Sequence, residues 1–220
     1  MPSGPERRSP RIPPAELSVV TLTEELVPDV VGLHLAAYSG YLNVRLGRGY
    51  ATAFVNWFRR EERAVALVAT KGPEVVGYVV GAAGDLKRAR NRALLPVVVR
   101  GVVRRPWLAF DARFRRAVLA RLGVLFARSQ RDLAETPLPL PRLDLVSIAV
   151  SPSAQGSGCG RLLMQEFEAR ARERSMRSMR LYVKPDNTAA HRLYERSGWT
   201  PLGTSMGRER LVQYGKILED

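Results

Sequence analysis

Apolar positions along the chain recur with two periods, about two and about 3.6 residues, and the switches between them mark the predicted elements. The β-branched run Leu17–Leu22 (LSVVTL) predicts a first strand. Thr23 followed by Glu24 and Glu25 predicts a helix start, and Leu26–Tyr38 carries helical apolar spacing up to a break at Gly40. A second helix is expected from about Thr52 to Glu62. Two strand-like runs, Ala64–Thr70 and Val75–Gly81, flank the turn residues Lys71-Gly72-Pro73-Glu74 and so predict a hairpin. Helices are then expected over Arg88–Arg104 and Trp107–Leu133, separated by Pro106 and followed by the extended connector TPLPLP, Thr136–Pro141. The remaining pattern predicts a strand at Asp144–Val150, a helix at Gly160–Arg174 and a strand at Met179–Lys184. A short helix at Asn187–Ser197 and strands at Trp199–Met206 and Arg210–Leu218 complete it. Alternating strands and helices, interrupted by hairpins, imply an α/β fold with a mixed sheet covered by helices.

Composition narrows the function classes. With 220 residues, 45% hydrophobic and 25% charged, the chain can bury one sizeable core. Residues 1–16, rich in proline and arginine, are expected to form a disordered tail ahead of a single domain at 17–220. Its one cysteine, Cys159, forms no intrachain disulfide, and with two histidines besides there is no metal-ligand set, so no metal is expected. No apolar run approaches the ~20 residues that span a bilayer, no secretory signal core is present, and a reducing, cytoplasmic setting is expected. The formal net charge of +14 favours anionic partners without choosing among them.

The chemistry concentrates in Ile148–Gly160, IAVSPSAQGSGCG, where a buried-type strand runs through a glycine-rich loop into an amphipathic helix. Glycines permit close backbone approach, and the free N–H groups at the following helix start suit a pyrophosphate. A dinucleotide fingerprint would need a glycine at Leu163, and a Walker loop would need a closing Gly-Lys-Ser/Thr; neither is present.

The pattern Gln155-x-x-Gly158-x-Gly160, with its preceding strand and following RLLMQEFEARA, resembles the acyl-CoA loop of the GNAT superfamily of N-acetyltransferases. A second block in the right order, LYVKPDNTAAHRLYERSGW at Leu181–Trp199, resembles the family's next strand and helix. The resemblance covers about Asp144–Trp199. It implies a mixed, mostly antiparallel sheet of six to seven strands flanked by helices, and acetyl-CoA (coenzyme A) as co-substrate. It further implies that the backbone at Ile148, Ala149 and Val150 pairs with the pantetheine arm, and that N–H groups of Gly156, Ser157, Gly158, Cys159, Gly160 and Arg161 cradle the pyrophosphate. Gln155 matches a position where the family carries arginine or glutamine. Asn187 would hydrogen-bond the arm, and Tyr194, seven residues on and on the same helical face, would protonate the departing thiolate. Asp144, where relatives carry an acid, is the candidate base, with a solvated carboxylate beside Arg142 as the alternative; Ser147 is expected on the opposite pleat. Cys159 is expected to be a tolerated small residue, His34 a packing residue, and His191 exposed.

One departure from the family pattern stands out. Residues 85–142, a basic helical insertion, hold fourteen basic residues against four acidic ones and so carry ten of the chain's fourteen net charges. Three readings follow: a flap packed on the sheet, an acceptor lid for an anionic substrate, or a peripheral membrane contact. Nucleic-acid binding is disfavoured, since the segment has few aromatics and no reader motif. The expected acceptor is the primary amine of a small molecule, an anionic amino sugar among the candidates. The alternatives are a protein or peptide N-terminus, or a non-catalytic acyl-CoA-binding module, and homodimerisation is left open.

Overall fold

A computed structural model describes residues 17–39, 41, 44–104, 138–204 and 210–218. Its strands are β1 (Leu17–Thr21), β2 (Ala64–Lys71), β3 (Glu74–Ala83), β4 (Arg142–Val150), β5 (Ser178–Val183), β6 (Thr200–Thr204) and β7 (Val212–Ile217). They form one sheet in the order β1-β2-β3-β4-β5-β7-β6, antiparallel at every pair except β4–β5. Among the described residues the α-helices are α1 (Val27–Ala37), α2 (Arg48–Arg60), α3 (Lys87–Arg104), α4 (Cys159–Glu173) and α5 (Thr188–Arg196). This is the mixed, mostly antiparallel, helix-flanked sheet that the sequence implies, with element bounds shifted by a few residues. The expected tail at 1–16 and the expected helix at 107–133 lie outside the described residues, as does the start of the TPLPLP connector.

Both faces of the sheet centre are covered, so β2 and β3 read as almost unbroken apolar runs. On one face α4 buries Leu163, Met164, Phe167 and Ala171 against Leu67, Val79, Leu143 and Met179. On the other, α1 and α2 bury Val30, Val31, Phe54 and Phe58 against Val68, Tyr78 and Val80. The described part of the basic insertion, α3, packs on α2 and buries only Leu94 and Val98. Arg90 lies over the Phe58 ring of α2, its guanidinium carbon 5.7 Å from the ring centroid, and Lys87, Arg88, Arg92, Arg100 and Arg104 are exposed.

Two irregularities in β4 shape everything downstream. Its register against β3 steps from Val80↔Ser147 to Gly81↔Leu145, which leaves Val146 as an extra residue, a β-bulge. The bulge resets the pleat, so Asp144 and Ser147 share the face toward α1 and α2, where simple alternation had separated them. Beside the bulge the backbone of β3 lies very close to its neighbours. A Cβ on Gly81 would sit 2.4 Å from Phe167 Cζ and 2.6 Å from the Asp144 carbonyl oxygen. Gly81→Ala is therefore expected to destabilise the fold by about 2 kcal/mol or more, since the strand or the Phe167 ring must move. Urea unfolding checks this: the midpoint should fall while the slope is retained.

Candidate active site

The parallel pairing of β4 with β5 lasts only from Arg142↔Ser178 to Asp144↔Arg180. Past that point β4 follows β3, while β5 follows β7 out to Val183. A cleft of about 1300 Å³ opens between them, lined by Leu145–Val150 from β4, Tyr182 and Val183 from β5, the loop before α4, the inner side of α5 and the end of α1.

The ladder fixes which strand groups face this cleft. The Ser151 N–H donates to the Val76 carbonyl at 2.8 Å, so residues 149 and 147 also turn their backbone groups toward β3. Those of Ile148 and Val150 turn into the cleft. Of the three expected backbone positions, Ile148 and Val150 thus turn strand groups toward an extended ligand, the Ile148 carbonyl also accepting from Tyr38, and Ala149 does not.

At the open end, the chain turns through Pro152–Gln155 and enters α4. Ser157 is buried and acts as a staple: its Oγ donates to the Ala154 carbonyl at 2.6 Å and accepts the Cys159 N–H at 3.3 Å. The Ser157 N–H itself goes to Ala154 O at 3.3 Å. This consumes the N–H groups of Ser157 and Cys159. Those of Gly156 and Gly158 enter no backbone bond among the described residues, and those of Gly160 and Arg161 lie in the first helical turn, which has no internal acceptor. Four N–H groups and the helix dipole therefore form an anion cradle. Gly156 and Gly158 hold φ of 78° and 92°, values only glycine adopts freely, and a Cβ on Gly160 would come within 3.3 Å of Leu193 of α5. Arg161, Arg192 and Arg196 also line the cleft, and Lys184 lines it on the α1 side, its ammonium 4.0 Å from the Tyr41 ring centroid. Gln155 is exposed at its rim. Cys159 is buried, and burial pushes its thiol up to about 11, so it stays an unreactive packing group.

Asn187 is the N-cap of α5 rather than part of it; its side-chain oxygen accepts the Ala190 N–H at 3.2 Å, which leaves its amide N–H groups for a ligand. Tyr194 lines the same cleft, its ring packed near Trp199 and Tyr214. Burial, with Tyr38 and Tyr41 nearby, raises its pKa well above that of a free phenol, so it remains protonated.

Asp144 does not line the cleft. Its carboxylate accepts from Arg142 Nε at 3.0 Å and from Arg180 at 2.6 Å and 3.2 Å, an ion-paired position where β4 and β5 still run together. The expected base is thus placed behind the cleft floor and held by two guanidiniums. Glu195, exposed, accepts from Tyr214 at 2.9 Å. His191 is half-buried, its ring nitrogens 2.9 Å from Tyr214 Oη and 3.1 Å from the Lys184 carbonyl.

The residues that pattern reading missed lie on the α1 side. Tyr38 Oη donates to the Ile148 carbonyl at 2.8 Å, and Ser147 Oγ donates to Tyr38 Oη at 3.0 Å. Tyr78 Oη lies 2.7 Å from Ser147 Oγ, and His34 Nδ1 lies 2.6 Å from Tyr78 Oη. The signal available in the sequence was a serine at a strand position otherwise filled by apolar residues.

Among the described residues no His/Cys/Asp/Glu cluster could hold a metal, and no helix is long and apolar enough to cross a membrane.

Residues 107–199 match the Acetyltransferase (GNAT) family. The chain is 49% identical over 53 residues to the mycothiol acetyltransferase of Geodermatophilus obscurus, covering 24% of this chain and 17% of that one. It is 39% identical over 72 residues to the mycothiol acetyltransferase of Beutenbergia cavernae, covering 33% and 22%. The matched stretches thus span about a fifth of those relatives. The fold superposes on the ribosomal-protein-alanine N-acetyltransferase of Brucella melitensis with a TM-score of 0.57 at 19% identity, covering 91% of this chain and 99% of that one.

Burial lowers the His34 pKa to about 4, against about 6.5 in an unfolded chain. The unfolded state therefore binds the extra proton between these values. Stability from neutral His34 is fully present above about pH 6.5 and is lost as pH falls through 4, by up to about 3 kcal/mol. Chemical denaturation at pH 7, 6, 5 and 4 is expected to show this slope, and His34→Gln is expected to flatten it.

Proposed function

We propose direct acetyl transfer to a primary amine for this chain, whose residues 107–199 match the GNAT acetyltransferase family. The observation that carries the reading is the continuous track between β4 and β5: the strand groups of Ile148 and Val150 that face the gap lead straight to the N–H cradle at Gly156–Arg161. Six residues of β4, Leu145–Val150, line this track, about 20 Å of strand for an extended arm. The pyrophosphate of acetyl-CoA fits the cradle, its arm pairs with Ile148 and Val150, and Asn187 donates to the arm from the facing wall. This brings the thioester beside Ser147 and Ile148, opposite Tyr194.

The amine nitrogen then forms a bond to the acetyl carbon as the carbon–sulfur bond breaks. The Tyr194 hydroxyl protonates the departing thiolate and regains its proton from solvent. The proton lost by nitrogen leaves through water, because Asp144 lies outside the cleft and is already ion-paired. Cys159 takes no part, since its buried thiol stays protonated.

The acceptor we favour is a small molecule. The sequence-similar relatives are named for mycothiol, a small molecule, whereas the ribosomal-protein enzyme shares the fold at 19% identity. The basic lining suits an acceptor carrying an anionic group as well as the co-substrate phosphates. A protein N-terminus is the second reading, favoured only by the cleft volume of about 1300 Å³.

Calorimetric titration with acetyl-CoA tests the co-substrate site. Micromolar binding is expected for the parent, and its loss in Gly158→Asp/Gly160→Asp, which puts carboxylates into the cradle. A panel of primary amines (glucosamine 6-phosphate, cysteine conjugates of amino sugars, an alanine-ended peptide) then tests the acceptor. Tyr194→Phe is expected to lower kcat about 100-fold while the acetyl-CoA Kd stays within about twofold. A parent protein that binds no acetyl-CoA would remove this reading altogether.

A further inference from the structure

The donors in the buried chain behind β4 can be ordered without ambiguity. The Ile148 carbonyl can only accept, so the single hydroxyl proton of Tyr38 is spent on it at 2.8 Å. Ser147 must then donate to Tyr38 at 3.0 Å, and Tyr78, in turn, to Ser147 at 2.7 Å. With the Tyr78 proton also spent, the 2.6 Å contact requires a proton on His34 Nδ1, which donates to Tyr78 Oη. The chain runs one way: His34, Tyr78, Ser147, Tyr38, Ile148 carbonyl. Three of its members are almost wholly buried, His34 at 7% exposure, Tyr78 at 0% and Ser147 at 5%. Tyr38 is half-buried at the helix end, and it lines the cleft beside Ile148.

This polarity gives Tyr38 a defined chemical character. It has no proton left to donate, it accepts from Ser147, and the nearby Tyr78 hydroxyl has its proton spent on Ser147, so one acceptor site remains. Such a group receives an N–H donor and refuses a carbonyl or thioester oxygen. Its position is also defined: Tyr38, from the end of α1, and Tyr194, from α5, line the same cleft.

We propose that Tyr38 is an acceptor-binding residue, taking one N–H of the incoming amine on its remaining lone pair, and that Ser147, Tyr78 and His34 are positioning residues that keep it an acceptor. The proposal rests on the acetyl-transfer reading above. An amine so held has one N–H directed at Tyr38 and its lone pair free to face the thioester on the adjacent strand. The chain orients rather than stores protons, because the buried imidazole at its head is too weak a base to hold one near neutral pH.

The test uses the full-length protein and whichever panel amine the parent acetylates best. For Tyr38→Phe, which keeps the ring packing, acetyl-CoA Kd by calorimetry is expected within about twofold of the parent, while kcat/KM for the amine falls about tenfold, mainly through KM. Ser147→Ala, which leaves Tyr38 in place and frees its orientation, is expected to cause a smaller loss of the same kind. The double variant is expected to be no worse than Tyr38→Phe alone, as it should be if Ser147 acts on the amine only through Tyr38, and the acetyl-CoA Kd stays unchanged throughout. An unchanged kcat/KM in Tyr38→Phe overturns the proposal, and so does a parallel loss of acetyl-CoA affinity, which would place Tyr38 in the co-substrate site. If Tyr38→Phe does not fold, Ser147→Ala decides, and unaltered amine kinetics there overturn it equally. A parent that acetylates nothing in the panel and binds no acetyl-CoA defeats the functional reading instead, a result distinct from both.

Discussion

The parting of β4 from β5 is the constraint on which the rest of the molecule depends. Two parallel strands held together for only three residue pairs leave a wedge whose walls are strand backbone. Unpaired strand groups inside a protein are costly unless water or a ligand meets them. Here they are kept apart by structure on both sides: β4 is committed to β3 and β5 to β7, so neither can swing across to close the gap. The Val146 bulge and the close approach at Gly81 fix the point where β4 begins to diverge. The ion pairs of Asp144 with Arg142 and Arg180 sit where the two strands still run together.

The wedge has chemically different ends because different elements close them. Its outer end meets the α4 N-terminus, where Ser157 consumes two of the six candidate N–H groups internally and leaves four for an anion. Its inner end meets tyrosines from opposite directions, Tyr194 from α5 and Tyr38 from α1. They differ in what they can give. Tyr194 keeps a proton that burial holds firmly, whereas Tyr38 has already spent its own on Ile148. A site with a donor on one wall and an acceptor on the other suits a reaction in which sulfur gains a proton and nitrogen presents a lone pair.

The pairing of a buried neutral histidine with a tyrosine-serine relay also has a structural cost. It places several hydroxyls within an apolar layer of Val30, Phe54, Val68 and Val80, and each must find a partner. The single direction of donation satisfies every one of them. It also explains why a polar serine occupies a buried position on a strand whose other buried residues, Leu143, Leu145 and Ala149, are apolar.

By itself the sequence determined the element order, the mixed sheet and the glycine loop. These are local consequences of periodicity, turn chemistry and the φ values that Gly156 and Gly158 must adopt. It also placed Tyr194, Asn187 and the loop at one site, since two motif blocks in fixed order carry that information. It could not place Asp144, because a carboxylate reads the same whether it faces a cleft or two arginines, and Arg180 lies 36 residues away. Nor could it put Ser147 on the face of Asp144, because strict alternation has no term for a bulge. The chain from His34 to Ile148 joins residues 44, 69 and 109 positions apart, and only the pairing of β3 with β4 and the packing of α1 on the sheet bring them into contact. Local pattern was legible because it is set by the backbone's own geometry; direction, pairing and charge compensation were decided by tertiary structure, where the partners come from distant parts of the chain.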